Sequence, residues 1–552
     1  MTVTAIFDNG RPNAATFDRT VSVGTLRNAL ADGAELALLD VRDNFVHARD
    51  GHILLSVSAP LSQLEIRIAA LVPRRQTRVV VYDGGDGILA QRAAVRLTNL
   101  GYINVSVLDG GTQAWRAAGH ELFTGVHVIG KAFGEFVEHR YNTPHLSVRD
   151  LKERVDAGEN LVVLDSRPEP EFRNFSIPGA IDLPGAELVY RFREAVPDPS
   201  SLVVVNCAGR TRSIIGAQAL INAGVPNKVV SLANGTMDWL IEGWPLDTGK
   251  TNLPPRPSGA ALEQAREAAR RLTARFAIRH IDHGTLARFQ KEADTGHRSL
   301  YLLDVRTPDE FEAGHLYGSR SAPGGQLVQQ TGQWAGTRNA RLVLIDDADG
   351  VRAAITASWL VQINWGEVYV LDDALAESLV VGPEAEPVAA PKPSVSWVDP
   401  ATLNDILAAG GTTVIDLDTS LAYEAGHVPN AHFAIRSRLE TDVRSLPGEG
   451  WLVLTSSDGT LAAFAAADLA AHTDRPVYVL TGGTAAWRAS GFEIETGVGQ
   501  QIHPFEDVAR SAYQIDGDRF AAFREYLDWE IGLVAQLERD KTTNFRLFPA
   551  AT

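Results

Sequence analysis

A chain of 552 residues is too long for one hydrophobic core and suits about three to four domains. Its 45% hydrophobic and 22% charged residues are those of a soluble globular protein. The net charge of -17 excludes nucleic acid as an expected partner, because a phosphate backbone would be repelled, but leaves room for a small anion in a locally positive pocket.

The N-terminal "MTVTAIFDNGRPN" has no basic region followed by an apolar run, so no signal peptide is expected. No stretch is apolar for long enough to span a bilayer, so no membrane partner is expected. The single cysteine, Cys207, cannot form an internal disulfide, which fits a reducing compartment and makes the cytoplasm the expected location.

Taken along the chain, the same pattern comes four times. The first copy, 14–125, opens with "ALLDVRDNFVHARDGHI", holding Asp40 and Arg42, continues with "RVVVYDGGDGILAQRAAVRL" and closes with "LDGGTQAW". The second, 126–249, runs "VVLDSRPEPEFRNFSIPGA" with Asp165 and Arg167, then "LVVVNCAGRTRSIIGAQAL", then "LANGTMDW". The third, 270–382, has "YLLDVRTPDEFEAGHLYGS" with Asp304 and Arg306, "RLVLIDDADGVRAAITASWL", and only "LDDALAES" at the close. The fourth, 394–500, has "TVIDLDTSLAYEAGHVPNA" with Asp416, Asp418 replacing the Arg, then "WLVLTSSDGTLAAFAAADLA" and "LTGGTAAW".

Short Val/Leu-rich runs alternating with helical patterns predict β-α units, hence an α/β fold with a parallel sheet flanked by helices in each copy. Ligands in such folds bind at the carboxyl edge, where strands hand over to helices. Pro- and Gly-rich linkers, "TGKTNLPPRPSG" and "VVGPEAEPVAAPKPSVS", flank the third copy. The first two copies lack such a spacer and are expected to pack as a pair. The tail, 501–552, carries Phe520, Phe523, Leu527, Ile531, Val534 and Leu537 at helical spacing, predicting a helix packed on the body or on a second subunit.

An Asp-x-Arg opening, a Gly-His-Ile or Ile-Pro-Gly-Ala step, a cysteine loop before a helix and a Gly-Gly-x-x-x-Trp close resemble the rhodanese family of sulfurtransferases. The resemblance covers nearly the whole chain, as four tandem rhodanese-like modules with a C-terminal helical tail. It implies a five-stranded parallel sheet in each module and a cysteine that carries sulfur as a persulfide. It implies no cofactor and no metal.

Cys207 sits where a strand would give way to a helix beginning near Ser213. Backbone N–H groups of Ala208, Gly209, Arg210, Thr211, Arg212 and Ser213 would point toward the sulfur, and a helix N-terminus adds partial positive charge. Gly209 would allow the sharp turn, and Arg210 and Arg212 would add fixed positive charge. Such a loop stabilises a thiolate and attracts an anion such as thiosulfate. The expected chemistry has two halves: Cys207 takes the outer sulfur of the donor and releases sulfite, then cyanide or a thiol removes that sulfur. Arg167 reads first as a fold residue that could also line the pocket. Two arginines in "CAGRTR" suit a doubly charged donor better than the Cys-Gly-Ser/Thr-Gly loop of mercaptopyruvate-using relatives.

The other modules act as a control. Asp83 and Asp346 stand at the cysteine position in modules one and three, and module four offers Thr455 or Ser456. None can carry transferable sulfur, so these modules are expected to be inactive, their residues serving as helix caps. Gly51-His52, Gly314-His315 and Gly426-His427 occur only where the cysteine is missing, so that His reads as a local hydrogen-bonding element. Trp115, Trp239 and Trp487 recur regardless of the thiol and read as packing residues.

Three other readings stay open. One is a sulfur carrier or scaffold that receives persulfide from a protein donor. A cysteine phosphatase or arsenate reductase is disfavoured, because Arg212 is the fifth residue after Cys207 and the loop is one residue short of a phosphate clamp. A binding platform with an incidental thiol is the third. A protein acceptor for the sulfur and self-association as a homo-oligomer are also left open by the residues.

Overall fold

The computed structural model describes residues 7–8, 11–12 and 17–549, apart from 377–378, 385–386, 447 and 516. Each copy of the repeat is a mixed α/β unit around a parallel sheet, of five strands in modules one to three and six in module four. The order within each is first, fifth, fourth, second, third, and in module four a sixth strand, Gln500–Gln501, pairs beyond the third. In module two these strands are His145–Leu146, Val229–Leu232, Leu202–Asn206, Leu161–Asp165 and Ile181–Asp182. Val203, Val204 and Val205 are fully buried, as β-branched residues in a strand covered on both faces should be.

The second and fourth strands of every module pair in the same register. Asp40 lies opposite Tyr82, Asp165 opposite Asn206, Asp304 opposite Ile345 and Asp416 opposite Thr455. A helix follows the fourth strand each time: Ile88–Asn99, Thr211–Ala223, Val351–Ile363 and Thr460–Leu469.

The core does not divide at the linkers. One contiguous apolar cluster runs through modules one, two and three, and module four keeps two clusters of its own. The expected pairing of modules one and two is thus only part of the packing, because linker length sets reach and not which faces match. Leu36 of module one and Arg338 of module three exchange backbone hydrogen bonds. Gly185 of module two approaches Gly325 of module three so closely that a Cβ on Gly185 would lie 2.9 Å from its Cα. At that junction the fully buried Arg352 binds Glu187 of module two (3.0 Å) together with Asp346 (3.0 Å), Glu310 (2.6 Å) and Asp347 (2.8 Å) of its own module. Module four joins module one through Arg436, whose guanidinium meets Glu65 at 2.8 Å.

The tail forms the helix Arg519–Asp540, started by Asp518, whose side chain accepts from the N–H groups of Phe520 and Ala521. It packs on the body: Leu533 and Leu537 join Leu54, Phe123, Val128 and Ala132, while Phe523 and Leu527 join Met237 and Ala512. The buried face differs from the apolar stripe read in the sequence. Phe520 and Ile531 are exposed, and Glu530 and Leu533 face inward instead. No helix among the described residues is long and apolar enough to cross a membrane.

Arg352→Ala would leave several carboxylates at the junction of modules two and three without their cation, at a cost of about 3–5 kcal/mol. Calorimetry should show a clearly lowered Tm for this variant. An unchanged transition would show that the ion cluster does not hold the two modules together.

Candidate active site

Cys207 directly follows the strand Leu202–Asn206, and the helix Thr211–Ala223 begins four residues later, two residues earlier than expected. The loop is held by its own carbonyls: Thr236 N–H donates to Cys207 O and Met237 N–H to Ala208 O, both at 3.0 Å. Gly235, at φ 53°, makes this close approach, since a Cβ there would sit 2.1 Å from Cys207 O. Gly209, expected to supply the sharp turn, is not in the left-handed region. Its lack of a side chain matters for space instead, because a Cβ on Gly209 would meet Glu530 Oε2 and Tyr526 Cε1, each at 3.3 Å.

The two expected guanidiniums part company. Arg210 turns to the helix Val128–Tyr141, where Glu135 and Glu138 lie one turn apart on one face, and also donates to Asn234 Oδ1 at 3.3 Å. Its charge is neutralised there. Arg212 is the guanidinium whose field reaches the sulfur. A bidentate pair with Glu171 at 2.8 and 2.9 Å holds it in place. Ser213 favours the thiolate through both its backbone N–H and its hydroxyl.

Burial opposes them. Cys207 is only 2% exposed, and burial pushes its thiol above the ordinary value despite Arg212 and Ser213, with Glu530 adding to the rise. The cover comes from the tail. Tyr513 OH shares a 2.7 Å hydrogen bond with Thr236 Oγ1 and donates to Ala208 O at 3.4 Å. The Thr211 hydroxyl donates to Glu530 Oε1. Lys131 stacks over the Tyr526 and Trp529 rings at 4.8 and 4.9 Å.

Arg167 is fully buried and grips Asp165 with two hydrogen bonds of 2.9 Å, then donates to Phe175 O at 2.7 Å. Arg42 and Arg306 make the same bonds to Asp40 and Asp304 and to the carbonyls of Gly51 and Gly314. The Asp-x-Arg unit is therefore a lock between the second strand and the loop after it. Arg167 Nη1 is nonetheless buried with no hydrogen-bond partner among the described residues.

The thiol-free modules show what the same loop does without sulfur. Asp83 accepts from the N–H groups of Gly85, Gly87 and Ala90 at 2.9–3.2 Å. Asp346 accepts from Asp347 and Ala353 N–H at 2.8 and 3.0 Å. In both, a carboxylate occupies a nest of amide donors at the sheet edge. In module four the register resolves the choice left open by the sequence: Thr455 pairs within the strand, and the carbonyl of Ser456 accepts from Thr484 N–H just as Cys207 O accepts from Thr236 N–H. Ser456 holds the cysteine position.

The histidines His52, His315 and His427 each stack at 3.7 Å on a ring of the preceding helix and hydrogen bond to a nearby backbone carbonyl. Trp115, Trp239 and Trp487 donate to the carbonyls of Glu121, Pro245 and Glu493 at 2.8–2.9 Å. Both sets brace loops. The sequence reading missed Tyr513, Tyr526 and Glu530. Tyr526 and Glu530 had a signal, Tyr526 lying three residues after Phe523 and Glu530 three after Leu527 and seven after Phe523 on the same helix.

A repeated parallel sheet with a sulfur on its carboxyl-edge loop defines the class to which comparison with known proteins also leads. The model of the rhodanese-like domain matches residues 22–118, 147–242, 285–377 and 399–490. The chain belongs to the rhodanese-like family. A solved structure of thiosulfate sulfurtransferase from Pseudomonas aeruginosa superposes with a TM-score of 0.90 at 45% identity, over 96% of this chain and 100% of that one. Bacillus subtilis YrkF, provisionally named a sulfur carrier protein, is 28% identical over 25% of this chain and 74% of its own. A Pseudomonas aeruginosa protein named a probable 3-mercaptopyruvate sulfurtransferase is 33% identical over 20% of this chain and 39% of its own.

Module four lacks the arginine lock. Burial, and then the like charge of Asp418, push the Asp416 carboxyl up to about 7. The folded value lies above the unfolded one, so the stabilising contribution is complete below about pH 4 and is lost as pH rises through about 7. The wild-type Tm should therefore fall between pH 5 and pH 7.5 by more than that of Asp416→Asn. Equal slopes in the two proteins would refute the assignment.

Proposed function

We propose that this chain is a thiosulfate sulfurtransferase with one sulfur-carrying module. The carrying observation is that Cys207 stands at the loop where the other modules have Asp83, Asp346 and Ser456, with the Arg212 field on it. Similarity to the Pseudomonas aeruginosa thiosulfate sulfurtransferase along nearly the full length supports the donor.

In the first half-reaction the Cys207 thiolate attacks the outer sulfur of thiosulfate. A new S–S bond forms on Cys207, the S–S bond of thiosulfate breaks, and its electron pair leaves with sulfite. In the second, cyanide or a thiolate attacks the outer sulfur of the persulfide, and the Cys207 thiolate departs as leaving group. No net oxidation occurs over the cycle. Arg212 offsets the negative charge that stays on the terminal sulfur in both halves. The Ser213 backbone N–H favours the same anion, and in this reading the N–H groups of Ala208 to Arg212 and the unpartnered Nη1 of Arg167 take the oxyanion end of the donor. The lone thiol suits a reducing compartment, which supports the cytoplasm.

A second reading has a specific observation behind it. The likeness to a protein provisionally named a sulfur carrier suits a carrier fed by another protein. Brisk thiosulfate:cyanide exchange favours the enzyme. Persulfide formed only with a protein donor favours the carrier.

Incubation with thiosulfate should add one sulfur atom to the peptide containing Cys207 and release sulfite in equal amount, with neither event in Cys207→Ser. Mass spectrometry of the intact protein and a sulfite assay read both. Arg212→Ala should slow uptake about ten-fold or more, whereas Arg116→Ala, an exposed arginine of module one, should not. Equal effects would remove Arg212 from the pocket.

A further inference from the structure

The thiol at the centre of this reading is buried, and burial favours its protonated form, yet the reaction consumes a thiolate. Of the groups whose charge or hydrogen bonds act on the sulfur, Arg212 cannot take a proton, and the Ser213, Tyr513 and Tyr526 hydroxyls are weak bases that hold theirs. Glu530 is the carboxylate among them. It is 1% exposed and comes from the C-terminal helix, far from Cys207 in the chain. Its Oε1 accepts from the Thr211 hydroxyl, which orients the carboxylate over the loop. Its Oε2 is buried, without a hydrogen-bond partner among the described residues, and lies against Gly209. A half-satisfied carboxylate in a dry interior costs free energy unless a proton donor uses it. Lys131, Glu135 and Arg210 also act on this carboxylate, the first and last as cations.

We infer that Glu530 Oε2 receives the proton of the Cys207 thiol when a sulfur donor binds, so that the C-terminal helix completes the active site of module two. The assignment rests on the sulfurtransferase reading above. The proton passes from Sγ to Oε2, and the S–H electron pair stays on sulfur. The thiolate then bonds to the outer sulfur of thiosulfate as sulfite leaves with the pair of the broken S–S bond. The proton on Oε2 departs with sulfite as hydrogensulfite, and Glu530 is ionised again. In the second half the same oxygen takes the proton of an acceptor thiol and passes it to the Cys207 sulfur as that thiolate leaves, which restores the resting thiol and the ionised Glu530.

The test measures single-turnover sulfur uptake from thiosulfate by the full-length protein across pH 6 to 10, for wild type, Glu530→Gln and Glu530→Asp. Gln keeps the shape and still accepts from Thr211. Its uptake should fall about a hundred-fold near pH 6.5 and approach wild type near pH 10, where hydroxide does the work. Asp should recover part of the neutral-pH rate. A Gln variant as fast as wild type near pH 6.5 overturns the assignment, as do Gln and Asp variants that are equally slow at every pH. Either result leaves the sulfurtransferase reading standing as long as wild type takes up sulfur. A wild-type protein that takes up none brings down both.

Discussion

The hydrogen bond from Thr236 N–H to the carbonyl of Cys207 is the constraint on which the site depends. It ties the end of the fourth strand to the glycine turn that opens the last helix of the module, and it leaves room for no Cβ at residue 235. With the carbonyl held, the loop from Cys207 to Arg210 has little freedom, and the helix Thr211–Ala223 starts with its N-terminus at the sulfur. Modules one and four build the same tie, from Thr112 N–H to Asp83 O and from Thr484 N–H to Ser456 O. The loop is thus a property of the fold, and the chemistry depends on which side chain stands at its first position.

Charge at that position follows a common logic. In modules one and three the nest is filled by the protein's own carboxylates, Asp83 and Asp346. A persulfide is also an anion, so the same donors suit it. Module two differs in leaving the nest to a thiol, whose burial favours its neutral form. Arg212 is positioned for the charged state by Glu171, while Arg210 is drawn off to Glu135 and Glu138. The cover formed by Tyr513, Tyr526 and Glu530 takes Cys207 out of water, and that burial pushes its thiol above the ordinary value.

The cysteine-free modules also carry structural load. Module three is wedged against both module one and module two, and the Arg352 cluster joins Asp346, at its own cysteine-free loop, to Glu187 of module two. Module four has Asp418 where the lock has arginine and Ser456 where module two has the thiol, and Asp416 is buried beside Asp418. The loop of module three serves as a joint, and that of module four holds a buried acid that accepts from Asp418 N–H at 2.9 Å.

The sequence by itself determined the four β-α repeats, the strand and helix on either side of each loop, the unique thiol and the bracing roles of the histidines and tryptophans. These depend on short-range patterns: period, turn residues and the spacing of Asp, Gly and Trp. Tertiary structure alone decided that Arg210 faces two glutamates, that Ser456 rather than Thr455 matches the cysteine, that three modules share one core, and that a helix more than 300 residues away in the chain covers the sulfur. Such facts depend on which faces meet. A salt bridge between Arg210 and Glu135, or a carboxylate laid over Gly209, leaves no periodic trace in either partner's own segment, because the energy that selects it appears only when both surfaces are desolvated together.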